Sequence, residues 1–370
     1  MIKVLHFYKT FYPDSYGGVE QVIYQLAKAG TKYSINSTIL SVSKRKVVNP
    51  EIFEGCISFK AKESFSIAST PFSFEAINHF KKLAENADVI HYHFPYPYMD
   101  MVHFFSKIDK PSVVSYHSDI LKQKTLLKIY KPLMFRFLED VNVIVATSSN
   151  YCKTSEVLLR FKNKVRIIPI GLNKEGYPVV DESRFEYWRQ RFKTPFYLFI
   201  GALRYYKGLH ILLNAMVRSR YPLVIVGAGS IEADLKKQAH KLGLDNVFFL
   251  GLQSDVDKVI LLKLCFCVIF PSHLRTEAFG ITLLEGAMFG KPLISSEIGT
   301  GTTYINIHQE TGVVVPPSDP IKLREAMDFL WDNPNIAERY GIEAEKRFKE
   351  IFTADLMALE YSKIYRSLLE

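Results

Sequence analysis

Long apolar runs are missing from this 370-residue chain: none approaches the roughly 20 consecutive apolar residues that cross a bilayer as a helix. Cysteine is scarce. Four residues (Cys56, Cys152, Cys265 and Cys267) cannot make a disulfide framework for a protein this size. Two of them form Cys265-Phe-Cys267 inside an apolar run, where buried thiols are expected and metal ligands are not. Zinc-finger spacings and RNA-binding aromatic signatures are also lacking, so nucleic acid is not an expected partner. The opening Met1-Ile-Lys-Val-Leu-His-Phe-Tyr has too brief an apolar core for a secretory signal and reads as a strand. Together these absences lead to the expectation of a cytoplasmic globular protein.

What is present is apolar content of 48%, enough for large cores, in a chain too long for one of them; two domains are expected. Charge is unevenly spread. Residues 1–175 carry 24 basic and 15 acidic side chains, residues 176–370 carry 23 of each, and the whole excess of +9 falls in the first half. That asymmetry suggests an anionic partner for the first half. Within it, 120–138 interleaves Lys122, Lys124, Lys128 and Lys131 with leucines, a basic amphipathic segment that Pro132 should interrupt or kink. Such a segment is either a solvated surface helix or one that lies against an anionic leaflet.

The chain is organised around residues 264–296. An apolar run of strand length (264–270) leads to a loop containing Glu277, then a helix-forming stretch from Ile281 to Phe289, and after Gly290-Lys-Pro292 another short apolar run, Leu293–Ser296. The backbone N–H groups near Gly280, Ile281 and Thr282 open that helix without intrahelical partners, a natural seat for an anion. Elsewhere, a strand at Lys3–Tyr8 runs through Gly17-Gly18 into a helix over 19–29. Strands follow at 37–42, 87–93, 112–117 and 141–148, with His91, His93 and His117 near the ends of theirs, where open α/β sheets bind ligands. A second series of alternating strands and helices begins at Phe196, giving a parallel sheet. The polar stretch 173–193 carries no apolar strand and fits a boundary.

The segment Pro271-Ser-x-x-x-x-Glu277-x-Phe-Gly-x-x-x-x-Glu285, followed by Gly-Lys-Pro, resembles the E-x7-E signature of retaining GT-B glycosyltransferases of family 4. The resemblance extends from about residue 3 to 365. It takes in the Gly17-Gly18 loop, Pro169-x-Gly-x-Asn173, Lys207-Gly208 and Thr311-Gly-Val-Val-Val-Pro-Pro317. It implies an α/β fold of two Rossmann-like domains facing a central cleft: residues 1–173 for the acceptor, 174–350 for the nucleotide sugar, and 351–370 as a helix returning to the first domain. It also implies site roles. Glu277 would sit by the sugar ring and Glu285 on the ribose hydroxyls, with His117 beside the reacting sugar. Phe279, Gly280, Ile281 and Thr282 would offer amides to sugar and diphosphate. Gly17 and Gly18 would approach the donor phosphates, Gly227 would face the nucleotide, and the 251–255 segment with Leu252 would meet the base. Asp255 has the right acceptors for guanine N1 and N2. Lys207 would clamp the diphosphate; the arginine expected nearby is Ala202, and Arg204, two residues on, would supply that charge.

Two other carboxylate readings fail on physical grounds. Asp255-Val-Asp257 spells the D-x-D of metal-dependent transferases, but acidic residues at a helix start are favoured by the dipole alone. Glu277 and Glu285 would lie ~12 Å apart along a helix, whereas glycosidase pairs need about 5–9.5 Å. The chain resembles bacterial polysaccharide and O-antigen mannosyltransferases of family 4, and the resemblance implies a hexosyltransferase, an α-mannosyltransferase using GDP-mannose, with a UDP-sugar as the alternative donor and no metal or other cofactor. The expected acceptor is a polyprenyl-diphosphate-linked glycan of O-antigen or polysaccharide synthesis, reached by peripheral attachment to the anionic inner face of the cell membrane. Another GT-B nucleotide-sugar enzyme, such as a non-hydrolysing epimerase, and a non-catalytic GT-B partner subunit are the rival readings.

Overall fold

The structure, a computed structural model, describes residues 1–68, 70–120 and 124–370, with side chains in the last segment from 126 onward. The chain divides into two compact units, one of residues 1–171 with 354–370, the other of residues 172–353.

The first unit is built on an eight-stranded sheet. Its order is Val165–Ile167, Val143–Ala146, Ser112–Tyr116, Val89–Phe94, Ile2–Phe7, Ile35–Ser43, Cys56–Lys62 and Glu51–Phe53. All neighbours are parallel except the last pair. A parallel sheet is covered on both faces, and its central strands are accordingly buried throughout, the polar His91, His93, Ser112 and Ser115 included: every residue of Val89–Phe94 and Ser112–Tyr116 is buried. The strand order reverses between Ile2–Phe7 and Val89–Phe94, so the loops leaving their carboxyl ends diverge and open a ligand crevice there. The helix Ala354–Ser367 belongs to this unit, fixed by Lys32 to Asp355 (2.8 Å) and by Arg366 to the Tyr33 carbonyl (3.0 Å).

The second unit carries six parallel strands in the order Val247–Gly251, Leu223–Val226, Tyr197–Ile200, Cys267–Phe270, Leu293–Ser296 and Gly312–Val315. Numbered from Tyr197–Ile200 this is 3-2-1-4-5-6, the doubly wound order, with its reversal beside Tyr197–Ile200 and Cys267–Phe270. Tyr197, Phe199, Leu212, Leu223, Ile225, Cys267 and Ile269 anchor its core. Cys265 and Cys267 are buried free thiols, and burial pushes Cys265 up to about 12.

Two elements go beyond the sequence pattern. The helix Lys124–Asp140 continues across Pro132, which sits on its exposed side, where water can take the carbonyl that the missing N–H leaves unbonded. Lys128, Lys131 and Arg136 on it are exposed; Lys122, before the helix, and the Lys124 side chain lie outside the described residues. The 173–193 stretch contains a helix, Glu182–Arg191, capped by Asp181, whose carboxylate accepts from the Arg184 N–H, and anchored by buried Trp188. No helix among the described residues is long and apolar enough to cross a membrane.

Candidate functional site

In the second unit the two loops at the sheet's reversal touch. The Gly201–Gly208 loop ends in a 3-10 turn, Tyr205–Lys207, and in Gly208 at φ 74°. A Cβ on Gly208 would lie 2.0 Å from the Pro271 carbonyl oxygen, so only glycine lets the loops approach this closely. The His273 N–H donates to the Tyr206 carbonyl at 3.0 Å and ties them together. Lys207 Nζ is thereby brought onto Glu277 Oε2 as an ion pair whose side chains are each only 12% exposed. The ammonium also stands 4.6 Å from the Phe270 ring centroid, and Ser272 Oγ is 3.5 Å from the same Glu277 oxygen. A fixed cation beside a carboxylate, at the carboxyl end of a parallel sheet, is the arrangement needed to hold a diphosphate next to a polyhydroxyl group.

The loop then turns through Gly280 at φ 104° into the helix Ile281–Met288. Phe279 is buried beneath it, Ile281 is half-buried, and the Thr282 hydroxyl donates to the Ile200 carbonyl at 3.0 Å, holding the helix start against the neighbouring strand end. The first-turn amides of Ile281 and Thr282 have no acceptor within the helix. On the same helix Glu285 accepts from the Tyr177 hydroxyl at 2.9 Å; burial pushes its carboxyl up, against the charge of Lys258 and the Tyr177 bond.

The other residues expected to face a donor lie on neighbouring turns. Gly227 is buried, and a Cβ there would lie 2.0 Å from the Gly201 oxygen, so this turn is in backbone contact with the Lys207 loop. Arg204 is exposed, with a guanidinium nitrogen 3.5 Å from Ser230 Oγ at the far end of that turn. Leu252 is 79% exposed, and exposed Asp255 pairs with Lys258 one turn along the helix Asp255–Leu264.

Asp257, by contrast, is a fastening. Its buried carboxylate receives Arg184 at 2.7 and 3.1 Å, Trp188 Nε1 at 2.6 Å and Ser254 Oγ at 2.7 Å, chiefly the Arg184 bonds holding its pKa at about 2. Its stabilising effect is therefore full above the ordinary carboxylate pKa and lost as pH falls through the depressed value. The melting-temperature advantage of wild type over Asp257→Asn should be constant near neutrality and shrink between about pH 4 and pH 2. A gap unchanged across that window would mean that Asp257 is not held as the charged form.

In the first unit, Gly17 caps the helix Gly18–Gly30, with Gly18 exposed at its start. Behind it Glu20 is buried and accepts from Thr10 Oγ1 at 2.6 Å. The loop leading to Gly17 is pinned from below by Lys60, a buried ammonium that donates to the carbonyls of Phe11 (2.9 Å) and Tyr12 (2.8 Å) and pairs with Asp14 (3.2 Å). His117 follows the Ser112–Tyr116 strand, 8% exposed, its N–H bonded to the Phe94 carbonyl at 2.9 Å and its ring to His93 at 3.0 Å; burial pushes it down to about 3.

His91 and His93 are fully buried. The ring nitrogens of His6, His91 and His93 come within 4.8 Å of one another. Both nitrogens of His91 are already engaged, by Tyr365 OH (2.6 Å) and Ser115 Oγ (2.7 Å), so the trio is organised by hydrogen bonds. Sequence reasoning passed over Lys60, Tyr177, Glu20 and His6. The first two carry no local signal, since each acts on a segment far away in sequence.

Two doubly wound sheets, one with a lysine–carboxylate pair beside a helix N-terminus at its reversal point, are the architecture of a glycosyltransferase of the GT-B class. Comparison with known families agrees: residues 16–175 match Glycosyltransferase Family 4 and residues 182–347 match Glycosyl transferases group 1. The chain is 53% identical over 353 residues to D-rhamnosyltransferase WbpZ of Pseudomonas aeruginosa, covering 95% of this chain and 93% of that one. It is 50% identical over 369 residues to O-antigen chain mannosyltransferase C of Escherichia coli, covering 100% and 99%. Sucrose-phosphate synthase from Thermosynechococcus elongatus shares the fold with a TM-score of 0.79 at 20% identity, over 100% of this chain and 99% of that one. The protein belongs to the family 4 glycosyltransferases.

Proposed function

We propose that the protein is a retaining α-mannosyltransferase of O-antigen synthesis, moving mannose from GDP-mannose to a polyprenyl-diphosphate-linked glycan at the cytoplasmic face of the membrane. The observation that carries this reading is the 50% identity to O-antigen chain mannosyltransferase C along the whole chain. The basic excess of residues 1–175 suits the anionic leaflet and the acceptor's diphosphate.

In this reading Lys207 takes the donor diphosphate, helped by the amides of Ile281 and Thr282, with Arg204 and the Gly227 turn nearby; these charges leave no role for a metal ion. Gly17 and Gly18 approach the donor phosphates with their backbone. Glu277 accepts hydrogen bonds from the sugar hydroxyls, Phe279 and Gly280 add backbone contacts, Glu285 holds the ribose, and Leu252 and Asp255 meet the base. His117 lines the sugar site. The acceptor oxygen bonds to C1 on the face from which the diphosphate departs, the C1–O bond to phosphate breaks, and the acceptor proton passes to the leaving phosphate oxygen.

A second reading has a specific basis: the 53% identity to a D-rhamnosyltransferase favours a donor whose sugar is 6-deoxymannose. The test is thermal stabilisation by GDP and UDP, with and without EDTA, followed by transfer assays. At a hundredfold excess over Kd a native-state ligand contributes about 2.7 kcal/mol, a shift of several degrees. GDP should give that shift with EDTA present and UDP should not. A shift with UDP alone overturns the donor, no shift with either favours a non-catalytic subunit, and turnover of the 6-deoxy donor but not GDP-mannose installs the rhamnosyl reading.

A further inference from the structure

Four side chains in the first unit form an unbroken file. Ser37 Oγ lies 3.2 Å from His6 Nε2, His6 Nδ1 lies 3.1 Å from His93 Nε2, and His93 Nδ1 lies 3.0 Å from His117 Nε2. They are supplied in order by adjacent strands of the sheet: Ile35–Ser43, Ile2–Phe7, Val89–Phe94, and the end of Ser112–Tyr116. The His93 and His117 ring centroids are 5.3 Å apart with planes 13° from parallel, and those of His6 and His93 are 5.4 Å apart at 26°. In each case the centroid separation exceeds the N···N distance by about two ring radii, so the rings meet end to end, in the geometry of an in-plane hydrogen bond.

A neutral imidazole has one N–H and one bare nitrogen. Burial pushes His6 and His117 down to about 3 and His93 well below its ordinary range, so the file is neutral near pH 7. Every link joins Nδ1 of one ring to Nε2 of the next and needs one N–H and one lone pair. Both links are satisfied only when all three rings carry the proton on the same-named nitrogen. Ser37, whose hydroxyl can donate or accept, closes the file in either sense.

We propose that His6 and His93 are positioning residues for His117: the file holds the three rings in one shared tautomer, which decides whether His117 Nδ1, the nitrogen outside the file, presents an N–H or a lone pair. The consequence for catalysis rests on the reading above, which places His117 at the sugar; the shared tautomer does not. A bare Nδ1 would accept from a sugar or acceptor hydroxyl, and a protonated one would donate to a sugar or phosphate oxygen.

The test is nitrogen NMR of the full chain labelled with 15N-histidine at neutral pH. His6, His93 and His117 should all be Nδ1–H or all Nε2–H, and rings in different tautomers overturn the proposal even if no variant folds. In His6→Phe the His117 nitrogen shifts should move, and unchanged shifts overturn the coupling. Turnover of His6→Phe should fall about 2- to 10-fold, the worth of one hydrogen bond, with donor KM within about twofold of wild type. His93→Asn, whose amide takes the Nδ1 position, should retain more turnover than His93→Phe; equal losses would reduce His93 to a space-filling role. Full activity in His117→Ala would remove His117 from the proposed sugar site while leaving the file to be judged by the spectra alone.

Discussion

Glu277→Gln is expected to lower kcat for glycosyl transfer by about 10²–10³-fold while tightening the binding of free nucleoside diphosphate. The two effects have one origin. In the resting chain Lys207 is paired with Glu277, both side chains nearly closed off from water, so on the proposed reading an incoming diphosphate would compete with the carboxylate for the ammonium. An amide keeps the shape but gives up the charge, and Lys207 is then available to phosphate without that competition. On the same reading the sugar would lose its charged acceptor, and with it the stabilisation that a carboxylate offers to positive charge developing at C1. Lys207→Met should behave in the opposite way toward nucleotide, weakening it along with turnover. Nucleotide binding by calorimetry, set beside steady-state rates, separates the two variants. Wild-type turnover in Glu277→Gln would remove this carboxylate from the mechanism, and weaker nucleotide binding in it would mean that the pair does not compete with phosphate.

Lys60→Met should be the most damaging single change to the first unit, costing roughly 2–5 kcal/mol. The methionine fills much the same space, so the loss is polar. The carbonyls of Phe11 and Tyr12 lose the ammonium in a buried place, Phe11 retaining the Asp14 N–H, and Asp14 retains Arg45 and Ser43. Burial lowers the Lys60 pKa, and the charge and hydrogen bond of Asp14 oppose that shift. The loop these contacts hold leads to Gly17 and Gly18, so donor affinity should fall with stability. Urea midpoints for the wild type and the variant give the comparison; a difference under about 1 kcal/mol would mean that the loop is held by its apolar side chains alone.

Much of this was legible in the sequence, and the reasons are local. The strand, turn and helix around Glu277 follow from an apolar run, a glycine and a Lys-Pro stop, and the structure has Cys267–Phe270, Ile281–Met288 and Leu293–Ser296 there. Periodicity cannot mark where a buried helix ends: the apolar run from Leu264 includes the last residue of the helix Asp255–Leu264, and its strand starts at Cys267. The helix Glu182–Arg191 was hidden by its polarity, since Trp188 alone of its residues is buried. The contacts that hold the site were the least legible. Lys60 on Phe11, Tyr177 on Glu285 and His6 on His93 each join residues at least 49 positions apart, and nothing in the pattern around either partner announces the other.

The Ala354–Ser367 helix sets an order on biosynthesis. Tyr361 and Tyr365 supply the hydroxyls that Ser115 and His91 need, and the Met357 sulfur lies 3.4 Å from the Gly171 nitrogen, yet roughly 180 residues of the second unit are translated between Gly171 and this helix. At about 5–20 residues per second the ribosome needs on the order of 10–40 s to cover that distance. Throughout it the emerging first unit has an open flank with buried-type imidazole and hydroxyl groups still hydrated, while the second unit, continuous in the message, is completed first. The half of the protein made first is thus the half finished last.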